Sequence, residues 1–175
     1  MAEEKPPFPP LSTSLDDFLD DGSDQRFRQL VNNLLRMSSA MLATRERYAE
    51  LIGVSPPQYS ILMAVADAGT TTVSQIASYL EVSGPFVTLQ VKQMAEAGLL
   101  GRAPHPEDGR STLLFLTEKG RELVLKVSPT RKSANDTIFG AFPGEDAQRL
   151  EATIEALLRQ LRQALHELDR PAGSA

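Results

Sequence analysis

Residues 73 to 91, VSQIASYLEVSGPFVTLQV, run almost directly into LLGRAPHPEDGRSTLLFLT, and the change of rhythm between the two confines the chain to few folds. In the first stretch apolar residues recur every three to four positions, the helical period, while Leu113, Phe115 and Thr117 alternate as on a half-buried strand. Two short helices that meet across a tight turn need a small residue at their contact, and Ala77 supplies it. Ile76, Leu80, Val82, Val87 and Val91 are expected to close the small core, with Glu81-Val82-Ser83 as the turn. Glu81 stands where such a turn often has glycine. Two short strands joined through 103 to 110 make a hairpin right after the second helix, and a helix-turn-helix followed by a hairpin is a winged helix.

The flanking sequence is helical. Apolar residues at 27, 30, 31, 34, 35, 37, 41 and 42 predict a long amphipathic helix from Gln25 to about Tyr48. Gly53 and the Pro56-Pro57 pair interrupt it, the prolines suiting the first turn of a helix that ends at Ala68-Gly69. Any of Thr70 to Thr72 can cap the next helix, and Ser83 caps the one after, which Gly98 ends. Thr117 can cap TEKGRELVLKV, which is expected to kink or break near Pro129. A last helix after Phe142-Pro143-Gly144 places Leu150, Ile154, Leu157, Leu158, Leu161 and Leu165 on one face. The two end helices carry more apolar face than the middle can cover, so a two-fold dimer is expected, packing back onto the middle being the alternative.

Composition excludes several classes. The chain has 175 residues, no cysteine and two histidines, His105 and His166, far apart. Disulfides, thiolate catalysis, thiol redox sensing and cysteine metal sites are therefore out, the two histidines leave little for a metal ligand set, and no metal is expected. The start, MAEEKPPFPP, is acidic and proline-rich where a secretory signal is basic and then apolar, and no apolar run is long enough to span a bilayer. A cytoplasmic protein without membrane contact is expected, so the Asn135-Asp136-Thr137 sequon carries no meaning. No nucleophile–base pair, phosphate-cradling glycine loop or paired carboxylates appear, and the chain reads as a non-enzyme without cofactor.

Charge is unevenly spread. The net value is −5, yet residues 1–24 hold seven acids against Lys5, leaving 17 basic and 16 acidic groups elsewhere. The first 24 residues read as an acidic, disordered or loosely docked arm. The expected fold is mainly α with a small β hairpin. It comprises that arm, a helical dimerisation region over 25–50 and 121–170, and a winged-helix DNA-binding domain over 51–120.

Helical geometry selects the candidate readers. With 87, 91 and 94 inward, Pro85, Thr88, Leu89, Lys92 and Gln93 face outward. Thr88 and Gln93 suit base edges or phosphates, Lys92 suits phosphate, and Leu89 offers apolar contact such as to a thymine methyl. Thr72 and Ser83 sit at helix amino ends, which favour phosphate, and Arg102 suits phosphate or supports the wing. At the wing tip Arg110 would lie in the minor groove, with Asp108 holding it extended. Asp-Gly-Arg alone could equally be an exposed ion pair.

From GVSPPQYSIL through TVSQIASYLEVSGPFVTLQVKQMAEAGLLGRAPHPEDGRSTLLFLTEKG, residues 53 to 120, the chain resembles the MarR family of bacterial transcriptional regulators. Gly98-Leu99, Arg102, Pro106, the Asp108-x-Arg110 wing and Leu116-Thr117 followed by Gly120 are its most specific pieces. The resemblance implies a homodimer on double-stranded, pseudo-palindromic operator DNA, usually a repressor, released by a small aromatic or anionic effector. Members of the family commonly carry an arginine where Leu89 stands, and its absence here implies an operator less dependent on one guanine. Arg36, Tyr59 and Met63 fall where the family's ligand cleft would be, suiting an aromatic carboxylate or its acyl thioester, although Tyr59 and Met63 read equally as core. The competing reading is a winged helix that contacts proteins and not DNA.

Overall fold

In the computed structural model, which describes residues 8–106 and 111–169, the first long helix is α1, Gln25–Ile52. Gly53 ends it in the left-handed region, at φ 71°, and its N–H returns to the carbonyls of Ala49 and Glu50. Ser55 then caps α2, Pro56–Ala68: its hydroxyl accepts from the Gln58 N–H while the Gln58 side chain accepts from the Ser55 N–H. The prolines lie in the first turn, where a missing N–H costs nothing. Thr72 and Gln75 repeat the same reciprocal cap on α3, Val73–Leu80, and Ser83 caps α4, Gly84–Glu96.

Thr70–Thr71 form a short strand, β1, ahead of α3, and the hairpin consists of β2, Leu100–Pro104, and β3, Thr112–Leu116. The sheet is antiparallel in the order β1-β3-β2, with Thr71 opposite Leu114 and Leu100 opposite Leu116. Leu113, Phe115 and Thr117, expected to alternate as on a half-buried strand, are half-buried, and the fully buried residue of the strand is Leu114. β3 is the central strand, with β1 on one edge and β2 on the other.

The chain divides into two units, Met1–Lys126 and Val127–Ala175. The core of the first joins Ile61, Leu62 and Val65 of α2, Ile76 of α3, and Val87, Val91 and Met94 of α4 to Leu99, Leu100 and Leu114. Each such side chain contributes about 1.5–3 kcal/mol on burial. Val82 does not join them. Its N–H closes the turn on the Ala77 carbonyl at 3.0 Å, and its side chain remains 38% exposed. Leu80 and Ala77 are half-buried. Glu81 makes the turn in glycine's place by adopting φ 55°, its N–H bonded to the Ser78 carbonyl.

Two further expectations are corrected. α5, Glu118–Phe139, passes through Pro129 without a break. The proline removes one rung, and the turns on either side keep theirs. Residues 8–24 are not a loose arm: a 3-10 turn at Asp16–Phe18 sets the Phe18 ring edge-on to Phe27, centroids 5.2 Å apart. The Ser12 N–H and hydroxyl both donate to Asp24, at 2.6 and 2.5 Å, and Arg28 pairs with the other carboxylate oxygen. Asp24 is fully buried, and the Ser12 donors, aided by Arg28, hold its carboxyl below the ordinary value of 3.8. The apparent solvating acidity of the segment hid one acid with a fixed structural position.

The second unit holds the remainder of α5 and α6, Glu145–Leu168, which starts after Gly144 as the sequence suggests. Leu157, Leu158, Leu161, Leu165 and Leu168 are exposed along it. On α1 the same is true of Leu30, Val31, Leu35, Met37, Met41 and Leu42. Among the described residues no helix is long and apolar enough to cross a membrane.

Candidate nucleic-acid interface

α4 has one face that the fold needs and one that it does not. Val87, Val91 and Met94, at spacings of four and three, are at most 2% exposed, which turns Pro85, Thr88, Leu89, Lys92 and Gln93 to solvent. Leu89, at 53% exposure, lies at the middle of that outer face. Phe86, 38% exposed, stands one turn back from it, and the sequence reading passed it over. The signal was available: Phe86 is three residues from Leu89 and one before the inward Val87, a position that a helix cannot bury together with 87, 91 and 94.

The polar side chains of this face are already oriented. The Thr88 hydroxyl donates to the Gly84 carbonyl at 3.0 Å, so its proton is engaged while its oxygen and methyl face outward. Gln58 Nε2 donates to Gln93 Oε1 at 3.3 Å, which fixes the Gln93 amide and leaves its NH2 for a ligand. Lys92 lies 4.0 Å from Glu96, an exposed pair that is weak enough to open toward a phosphate. Thr72 and Ser83 spend their oxygens on capping, accepting from the Gln75 and Phe86 N–H groups. Arg102 is exposed on β2, opposite Leu114. Asp108 and Arg110 lie outside the described residues.

Behind α4 the wing is locked to the helix that follows it. Thr117 Oγ1 donates to the Gly98 carbonyl at 2.6 Å and accepts from the Gly120 N–H at 3.1 Å. Lys119 Nζ donates to the Ala97 carbonyl at 2.8 Å. These contacts hold the end of α4, the hairpin base and the first turn of α5 as one piece.

The expected effector residues are not brought together within one chain. Tyr59 and Met63 are buried in α2, 3% and 8% exposed, whereas Arg36 is exposed on α1. Tyr59 packs on Tyr48, ring centroids 5.8 Å apart, and Arg36 is twelve residues before Tyr48 along the same helix, about 18 Å at 1.5 Å per residue. The Tyr48 hydroxyl is buried without a hydrogen-bond partner. An open cavity of about 410 Å³ lies elsewhere, with Ala64, Asp67, Ala68, Ile76 and Tyr79 in its wall.

A capped helix-turn-helix, an outward polar and apolar helix face and a locked hairpin define a winged-helix protein. Residues 52–111 match the profile of the MarR family. Over 137 residues the chain is 30% identical to the organic hydroperoxide resistance transcriptional regulator of Bacillus subtilis (strain 168), covering 77% of this chain and 90% of that one. It is 26% identical over 128 residues to the HTH-type transcriptional repressor IacR of Pseudomonas putida, covering 73% and 77%. A solved MarR/EmrR family transcriptional regulator from Acinetobacter sp. ADP1 superposes with a TM-score of 0.67 at 20% identity, over 78% of this chain and 97% of that one. The chain belongs to the MarR family of transcriptional regulators. It is a transcriptional regulator and not an enzyme.

Proposed function

We propose that this chain is a cytoplasmic, ligand-responsive repressor that binds a pseudo-palindromic operator as a homodimer. The observation that carries the reading is the outer face of α4, where Thr88, Leu89, Lys92 and Gln93 are exposed while the inner face is fully buried. In this reading α4 enters the major groove, and Arg110, steadied by Asp108, reaches the adjacent minor groove from the wing. Residues 51–120 bind DNA, and the exposed apolar faces of α1 and α6, within 25–50 and 121–170, are covered by the second copy. Two-fold symmetry then places the half-sites about 34–36 Å apart. Dimerisation doubles every contact, which compensates a weak field.

The effector proposal is a small aromatic or anionic molecule, an aromatic carboxylate or its acyl thioester, whose binding releases DNA. It keeps Tyr59 and Met63, gains Tyr48 and loses Arg36. The unpartnered Tyr48 hydroxyl supports it, since a buried donor without a partner costs about 1–3 kcal/mol and an acceptor-bearing ligand recovers that.

The test is binding of the full chain to the duplex upstream of its own gene, by mobility shift. Arg110→Ala, folded and dimeric, is expected to weaken binding by about tenfold. Unchanged binding by that variant removes the DNA-reading model and favours a winged helix that docks proteins.

A further inference from the structure

Among the described residues of α4, the outward side chains ahead of Lys92 offer almost nothing that can read a guanine. From the amino end they are Pro85, Phe86, Thr88 and Leu89, with Lys92 and Gln93 a turn later. The amino-terminal part of a recognition helix is the part that meets base edges, so its chemistry sets the sequence it accepts. Here two large apolar side chains, 38% and 53% exposed, occupy it, although the fold gains nothing from leaving them in water. The major-groove edge of B-DNA presents one apolar group, the C5 methyl of thymine.

The polar neighbours are constrained too, but accept either kind of base pair, which leaves the apolar pair to discriminate. Thr88 has committed its proton to the Gly84 carbonyl, so toward a base it is an acceptor and a methyl, which suits the amino group of adenine or cytosine and, through its methyl, a neighbouring thymine. Gln93 has committed its oxygen to Gln58, so it can donate to thymine O4 or to guanine O6 or N7 but cannot clasp adenine with both groups while that bond stands. Phe86 and Leu89 are neighbours at i and i+3, about 5–6 Å between Cβ atoms, which spans one to two base steps of about 3.4 Å.

We infer that the α4 face made by Phe86 and Leu89 recognises the methyl groups of adjoining thymines in each half-site, and that these methyls are the main determinant of sequence specificity. The inference rests on the reading of α4 as the DNA-binding helix and names what that helix reads. It makes an A·T-rich core the preferred half-site and makes the absence of an arginine at 89 a choice of bases, compensated by apolar contact.

The experiment uses the full chain and a pool of randomised duplexes, from which bound sequences are selected and then measured by fluorescence anisotropy. Each thymine of the selected half-site is replaced in turn by deoxyuridine, which removes the methyl and leaves every hydrogen-bonding group. A pair of adjoining positions is expected at which that replacement weakens binding by about fourfold each, the factor that one buried methyl is worth. In Leu89→Ala the penalty at one of the two positions falls to nearly nothing, and in Phe86→Ala the same happens at the other. Both residues are exposed, so the variants are expected to fold. A chain that selects a defined site yet binds its deoxyuridine forms as tightly as the parent overturns the methyl inference and leaves DNA binding standing. Enrichment of no duplex at all overturns both, and the apolar face then belongs to a protein partner.

Discussion

Glu81 is a glutamate where the chain needs a glycine's freedom. Its φ of 55° closes a Schellman-type turn, with the N–H groups of Glu81 and Val82 returning to the carbonyls of Ser78 and Ala77 at 3.3 and 3.0 Å. A side chain in that region costs about 1–2 kcal/mol, part of which glycine would give back through the entropy of its unfolded chain. Glu81→Gly is therefore expected to stabilise the fold by about 0.5–1 kcal/mol, seen as a higher midpoint in chemical denaturation; a lower midpoint would mean that the glutamate side chain contributes more than its strain costs. At this scale helical spacing was a dependable guide, because burial of Val87, Val91 and Met94 fixes where Thr88, Leu89, Lys92 and Gln93 point. What spacing could not disclose was the pairing of Gln93 with Gln58, 35 residues away, which decides which half of the amide is free.

Elements that announce themselves through capping residues were legible, and those without a period were not. Thr72 and Ser83 start their helices as their hydroxyls suggest, while Thr70–Thr71, with no room for alternation, joins the sheet only because β3 offers an open edge. The junction of β3 with α5 has a sharper requirement. A Cβ on Gly120 would lie 2.3 Å from the Leu99 carbonyl oxygen, a backbone atom with nowhere to go. Gly120→Ala is expected to cost about 1–3 kcal/mol and to loosen the hairpin against α4, read as a drop in thermal midpoint and faster amide exchange at Leu99. The amino-terminal segment responds to acid instead. Because the Asp24 carboxyl is held below its ordinary 3.8, its contribution is complete above that value and is lost as pH falls through the folded-state value. Protection of the Ser12 amide from exchange should vanish in that acid window and be absent at neutral pH in Asp24→Asn; protection that persists in both would show that Phe18 and Phe27 alone dock the segment.

For the molecule as a whole, an acidic chain that binds DNA must do so with few, well-placed cations. Between residues 73 and 121 the basic groups are Lys92, Arg102, Arg110, Lys119 and Arg121, against five acids. One of the five is already occupied, Lys119 being tied to the Ala97 carbonyl, whereas the exposed Lys92–Glu96 pair opens at little cost. About four cations per protomer are then left to neutralise phosphates, or about eight in the proposed dimer, and each displaces roughly 0.9 of a condensed counterion. The logarithm of the binding constant should accordingly fall against the logarithm of salt concentration with a slope of about −7. The same count applied to one protomer gives about half that slope. Leu161→Glu combined with Leu165→Glu, which puts charge into the exposed leucine face of α6, should therefore lower both affinity and slope together if that face joins the two copies. A parent slope near −10 would place unrecognised cations at the phosphates, and an unchanged slope in the double variant would place the dimer contact away from α6.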